Sequence, residues 1–150
     1  MLQPNQSPTR WQRVRRLLLG LLLLILLAVA GFVIWALWTP TPMPEALAAL
    51  ASDPAVQVNI DDWLVFQPAA GSATTGFIFY PGGRVDARAY APAAHAIAAT
   101  GVLVVIVPMP LNLAVFAPNR ADQVITAYPA IQRWAIGGHS LGGAMAATYV

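Results

Sequence analysis

From Leu17 to Trp38 the sequence carries no charged side chain and almost no polar group. This run limits the fold more than any other feature. As a helix with a rise of about 1.5 Å per residue it would reach roughly 33 Å, enough to cross a bilayer core of about 30 Å. It also accounts for a composition that is 58% hydrophobic and only 9% charged, against about 25% charged residues in soluble domains. The reading is one transmembrane helix, residues 17–38, behind a basic flank, residues 1–16.

Arg10, Arg13, Arg15 and Arg16 all precede the run. Basic residues on one side favour an amino terminus held in the cytoplasm, which places the rest of the chain outside it, at a cell membrane. Trp11, Trp35 and Trp38 stand near the two ends, where interfacial tryptophans are common. A cleaved secretory signal is the alternative, with Leu17–Leu27 as its apolar core and Ala28-Val29-Ala30 as a small-x-small cleavage site. The run continues through Phe32, Val33, Ile34, Trp35, Leu37 and Trp38, which favours an uncleaved signal-anchor. Both readings export residues 39–150.

Residues 39–150 carry Arg84, Arg88, Arg120 and Arg133 against Glu45, Asp53, Asp61, Asp62, Asp86 and Asp122. The exported part is therefore slightly acidic, and the overall positive charge belongs to the membrane flank. No basic cluster with interleaved aromatics lies beyond the run, so nucleic acid is not an expected partner. The absence of cysteine removes disulfides, thiolate catalysis and cysteine–zinc sites.

After the run, residues 39–54 read as a proline-rich spacer ("TPTPMP") and a short helix opened by Pro44-Glu45. Val56, Val58 and Ile60 alternate with polar residues as in a half-buried strand. "WLVFQ" is a second strand, and the pair suits an antiparallel edge. "PAAGSATT" is a loop. From "FIFY" (Phe77–Tyr80) the pattern becomes strand, helix, strand, helix, strand, helix. The helices are expected at 86–99, 120–128 and 142–150, the buried strands at 102–107 ("VLVVIV") and 134–138 ("WAIGG"). "PMPLNLAVFAPN" lies between as a long apolar loop. Continuous apolar strands separated by helices predict an α/β fold, a mostly parallel sheet covered on both faces.

Gly138-His139-Ser140-Leu141-Gly142 matches G-x-S-x-G. Alone the match is weak, and an idle serine in a glycine-rich turn would satisfy it. Here a buried strand runs into it and a small-residue helix runs out, the context a strained nucleophile turn requires. Such a turn lifts the serine oxygen above the sheet edge and crowds the backbone. An acyl-transfer site also needs preset donors for the developing oxyanion. One is the N–H of the residue after the nucleophile, Leu141. The other comes from the loop after an earlier strand, where "YPGGR" (Tyr80–Arg84) stands.

Residues 55–150 resemble the amino-terminal half of an α/β-hydrolase domain, most closely the branch with "YPGG" before the first covering helix and "GGHSLGG" at the elbow. The resemblance implies Ser140 as nucleophile, with the backbone N–H groups of Leu141 and Gly83 as the oxyanion hole and Gly82 as the alternative to Gly83. Pro81 stands where many members have histidine. The family order is serine, then acid, then histidine. Both partners are thus expected after residue 150, in a longer enzyme of which this chain is a truncated part. His95 reads as a packing or surface residue, His139 as pointing away from the base position, and Asp86 and Asp122 as helix-end acids.

The activity implied is hydrolysis of an ester, thioester or amide in a small-molecule acyl substrate, through an acyl-enzyme on Ser140 and with no metal or organic cofactor. The "MPLNLAVF" stretch comes after a parallel strand at the carboxyl edge, where it can line an acyl site or simply pack. A non-catalytic binding or interaction module on the same fold is the second reading, since fold alone does not decide activity.

Overall fold

The computed structural model describes residues 9–150, so the first half of the basic flank lies outside the described residues. The chain divides into two compact units, Met1–Trp35 and Ala36–Val150.

The first unit is a single helix, α1, whose full span is Arg10–Leu37. It starts earlier than the apolar run and carries all four arginines in its first two turns. Arg and Gln are good helix formers, and a reciprocal cap starts the helix. The Gln12 N–H donates to Thr9 Oγ1 at 3.3 Å, and the Thr9 N–H donates to Gln12 Oε1 at 2.9 Å. The helix stops two residues before the Thr39-Pro40 bond, where the pre-proline position disfavours the α region. It is long and apolar enough to span a membrane, and its most apolar window is unburied.

The second unit holds α2 (Pro44–Ala48), β1 (Val56–Ile60), β2 (Leu64–Pro68), β3 (Thr75–Tyr80), α3 (Ala91–Ala98), β4 (Leu103–Ile106), α4 (Ala121–Ala127), β5 (Arg133–Gly138) and α5 (Leu141–Tyr149). The strands form one mixed sheet in the order β1-β2-β4-β3-β5. β4, β3 and β5 are parallel, and β2 and β1 add an antiparallel edge. The predicted parallel sheet with an antiparallel margin is therefore present.

Alternate residues of β4 feed two cores. Val104 and Ile106 face Phe66, Ala91, Ala94 and Ala98, so α3 covers that side. Leu103 and Val105 face Ile78, Tyr80, Val124 and Ala146, so α4 and α5 cover the other. The β4 residues are all buried, as expected for a strand covered on both faces.

Three elements differ from expectation. The helix expected over 86–99 is divided. Asp86 caps a 3-10 turn at Ala87–Tyr90, and the α-helix begins only at Ala91. Pro92 has no N–H to give to residue 88 and belongs in a first turn. The long apolar loop contains two 3-10 turns, with Leu111 and Asn112 both at φ 53. Finally, β5 is not a buried strand. It pairs only with β3, at the sheet margin, and its residues are exposed or half-buried.

At the far end of α5, the Tyr149 hydroxyl donates to Asp122 Oδ1 and ties α5 to the first turn of α4. That bond, more than its slight burial, pushes the Tyr149 phenol up to about 12. A phenol that holds its proton more tightly when folded contributes stability that is complete below its ordinary value near 10 and is lost as pH rises from there to about 12. Tyr149→Phe should therefore flatten the fall in stability over that alkaline window, measured by urea unfolding at stepped pH.

Candidate active site at the carboxyl edge of the sheet

The site is built where β3 and β5 end side by side. Tyr80 pairs with Gly138 at the last step of the parallel ladder. The His139 N–H then donates to the Tyr80 carbonyl at 3.1 Å, carrying the contact one residue past the strand. The chain reverses at Ser140 and enters α5 at Leu141. Ser140 adopts φ 50, ψ −120, a conformation an L-residue holds only when its surroundings impose it, at a cost of about 1–3 kcal/mol. Its side chain is exposed and caps no helix N–H.

Glycine is required on both sides of this turn. A β-carbon on Gly142 would collide with the carbonyl oxygens of Tyr80 and Pro81, and one on Gly138 with the Tyr80 carbonyl and the backbone of α5. The elbow and the β3 strand end are thus in backbone-to-backbone contact.

The Tyr80–Arg84 loop lies against the elbow. A β-carbon on Gly83 would sit 3.2 Å from Leu141 Cδ2 and 3.4 Å from Leu113 Cδ2. This places Gly83 beside the residue after Ser140 and beside the apolar loop. The Arg84 N–H donates to the Asn112 carbonyl at 2.9 Å, joining the same two loops. Among the described residues, neither the Gly83 N–H nor the Leu141 N–H meets an acceptor. The Gly82 N–H does: it donates to Tyr90 Oη at 3.1 Å.

The buried Tyr80 side chain anchors the loop after β4. Its hydroxyl donates to the Pro118 carbonyl at 2.9 Å and accepts the Ala121 N–H at 2.7 Å, fixing the start of α4. Burial pushes the Tyr80 phenol up, against the opposing pull of the Ala121 bond.

The other singled-out residues fall elsewhere. His95 Nε2 lies 3.7 Å from Asp53 Oδ2, and its ring meets Phe66 edge-on. The pairing of imidazole and carboxylate looks like a base with its orienting acid, but it stands at the wrong end of the sheet. Asp53 accepts the N–H of Val56, which pairs with Pro68, whereas Leu64 at the other end of β2 pairs with Ile106. Four strand residues, about 13 Å, separate these two levels. The Val56 and Ala55 N–H groups hold the Asp53 carboxyl below its ordinary value, with a smaller contribution from His95. Asp86 caps the 3-10 turn and pairs with Arg88 at 2.6 Å, and the bond from that guanidinium lowers its carboxyl. Asp122 is occupied by Tyr149. His139 turns its Nδ1 to Tyr90 Oη at 3.0 Å. Tyr90 is a participant that the sequence does not announce, because eight residues separate it from Gly82 and forty-nine from His139.

Residues 76–150, half of the chain, match the alpha/beta hydrolase family. The chain belongs to the alpha/beta hydrolase family. Comparison with curated proteins and comparison with solved structures each returned no match. The matched segment of this hydrolase domain begins within β3 and takes in both glycines of the Tyr80–Arg84 loop, the apolar loop and the Ser140 turn. Family membership supports hydrolase-type activity in general. Among the described residues no cluster of three or more histidine, aspartate or glutamate side chains is placed to hold a metal ion.

Proposed function

We propose that this protein is a membrane-anchored serine hydrolase that cleaves an ester, thioester or amide through an acyl-enzyme on Ser140. The observation that carries the reading is the backbone of Ser140. A non-glycine residue held at φ 50, ψ −120 between a strand and a helix, with its hydroxyl exposed, stores strain for which the fold alone gives no reason. Strain of this kind concentrates at active sites.

Ser140 Oγ would attack the acyl carbon, and the carbonyl oxygen would develop negative charge. The unpartnered N–H groups of Leu141 and Gly83 flank the elbow and suit that charge, since preset donors need no reorganisation at the moment of reaction. Gly82 is the weaker choice because Tyr90 already takes its N–H. Leu113, against Gly83, begins the apolar wall for an acyl group. Neither histidine of this chain is assigned as the base: His139 is engaged with Tyr90, and His95 is paired with Asp53 toward the opposite sheet edge. The binding-module reading shares the fold but leaves the strain at Ser140 unexplained.

The direct test is an alkyl fluorophosphonate probe on the intact protein. The probe should label one serine, and peptide mapping should find it at Ser140. Labelling elsewhere, or none, would overturn the assignment.

The same reading makes Arg10–Leu37 an uncleaved anchor with its arginines in the cytoplasm. Protease added to intact cells or spheroplasts should digest residues 39–150, and the mature protein should retain the helix. Digestion only after lysis would reverse the orientation.

A further inference from the structure

Three groups meet where the Tyr80–Arg84 loop touches the elbow. The Gly82 N–H donates to Tyr90 Oη at 3.1 Å, and Tyr90 Oη lies 3.0 Å from His139 Nδ1. A β-carbon on Gly82 would stand 2.6 Å from that same His139 nitrogen. One phenol oxygen therefore links the buried backbone of the oxyanion loop to the residue immediately before Ser140. Because Oη accepts from Gly82, its own proton is free for His139 Nδ1, which accepts it when the imidazole proton is on Nε2. Phe79 packs against the Tyr90 ring at a tilt of 50°, with centroids 4.7 Å apart, and helps fix the phenol's direction.

We propose that Tyr90 and His139 form a clasp that sets the oxyanion site, as positioning residues for the reaction at Ser140. The clasp has two effects. It withdraws the Gly82 N–H from the substrate and leaves the Gly83 N–H as the donor. It also fixes the distance between that donor and the Leu141 N–H, because one arm grips the loop and the other grips the elbow. Backbone bonds from His139 to Tyr80 and from Arg84 to Asn112 hold the two segments in place, and the clasp adds the direct side-chain link between them. Displacing a catalytic group by about 1 Å can cost on the order of a hundredfold in rate, so a clasp of two hydrogen bonds is enough to matter.

The inference rests on the serine-hydrolase reading, and the experiment separates the two. Tyr90→Phe keeps the ring and its packing on Phe79 and removes the shared oxygen. In the intact protein, assayed on a p-nitrophenyl ester, it should lower kcat by about ten- to a hundredfold and change KM by less than about twofold. His139→Ala should do the same. His139→Asn should recover much of the loss, because its amide oxygen can take the place of Nδ1 as acceptor. The double variant Tyr90→Phe/His139→Ala should be no worse than the more damaging single change, since the two groups act as one unit. Hydrogen–deuterium exchange should show faster uptake at Gly82 in Tyr90→Phe, with unfolding midpoints close to the parent's. Wild-type kcat in Tyr90→Phe, with Ser140→Ala inactive, would overturn the clasp and leave the nucleophile standing. Undiminished hydrolysis in Ser140→Ala would overturn the Ser140 nucleophile, and the clasp's role in positioning the reaction there with it.

Discussion

Ser140→Ala is expected to lower kcat for ester hydrolysis by about ten-thousandfold or more, with the fold intact. The size comes from the chemistry. On the proposed reading no acyl-enzyme can form without the hydroxyl, and what remains is binding plus the oxyanion donors, which by themselves give a modest rate above water. The fold stays intact because the exposed side chain of Ser140 caps nothing. A companion substitution separates strain from chemistry. At φ 50, ψ −120 a β-carbon is unfavourable, and alanine keeps it whereas glycine does not. Ser140→Gly should therefore be as inactive as Ser140→Ala yet more stable than the parent by about 1 kcal/mol or more. Paired urea titrations and initial-rate assays on the three proteins would check both halves. A Ser140→Ala variant with parental turnover would remove the nucleophile assignment. A Ser140→Gly variant no more stable than the parent would mean that the turn stores no strain.

Such a site is visible in sequence because its constraints are local. G-x-S-x-G records a turn that excludes β-carbons at two fixed positions, and the strand before it and helix after it are adjacent in the chain. The buried strand at Leu103–Ile106 is legible for the same reason, as an unbroken apolar run needs two covered faces. Pairing at a sheet margin is not local. Trp134-Ala135-Ile136 reads like another buried run, but whether a strand has one neighbour or two depends on chain elsewhere, and here β5 has only β3. The helix after the Tyr80–Arg84 loop is shorter than its pattern suggests, although the cause is visible in the sequence: Pro92 interrupts an otherwise helical pattern and moves the α-helical start to Ala91. The contact between Tyr90 and His139 leaves no sequence signature, because spacing along the chain carries no information on which side chains meet across two loops. The paired His95 and Asp53 make the converse point: two residue types suited to catalysis stand together at an edge where no reaction is placed.

Gly142→Ala should be the most damaging single-methyl change in the domain, and local helix energetics predict the opposite sign. Gly142 lies in the first turn of α5, and alanine is better than glycine inside a helix by about 0.5–1 kcal/mol. Sterics oppose this. The added methyl would meet the carbonyl oxygens of Tyr80 and Pro81 inside any ordinary contact, with the Tyr80 carbonyl carbon only 2.6 Å away. All three are backbone atoms, so no rotamer change relieves the overlap. Either α5 or the end of β3 must move. Overpacking a close contact costs about 1–3 kcal/mol, occasionally more, which outweighs the propensity gain. The expected net loss is about 2 kcal/mol or more. Any relaxation that avoids it draws Leu141 and Ser140 away from the Tyr80–Arg84 loop, so turnover should fall by about a hundredfold even in molecules that remain folded. Gly83→Ala is the informative contrast. Its methyl would meet the Leu113 and Leu141 Cδ2 atoms at 3.4 and 3.2 Å, which can rotate away, and Leu141 Cβ at 3.6 Å, an ordinary van der Waals contact. Its unfolding midpoint should stay close to the parent's. Urea unfolding of the two variants beside the parent checks the ordering, and a Gly142→Ala protein as stable as Gly83→Ala would show that the elbow and the β3 strand end are not in close contact.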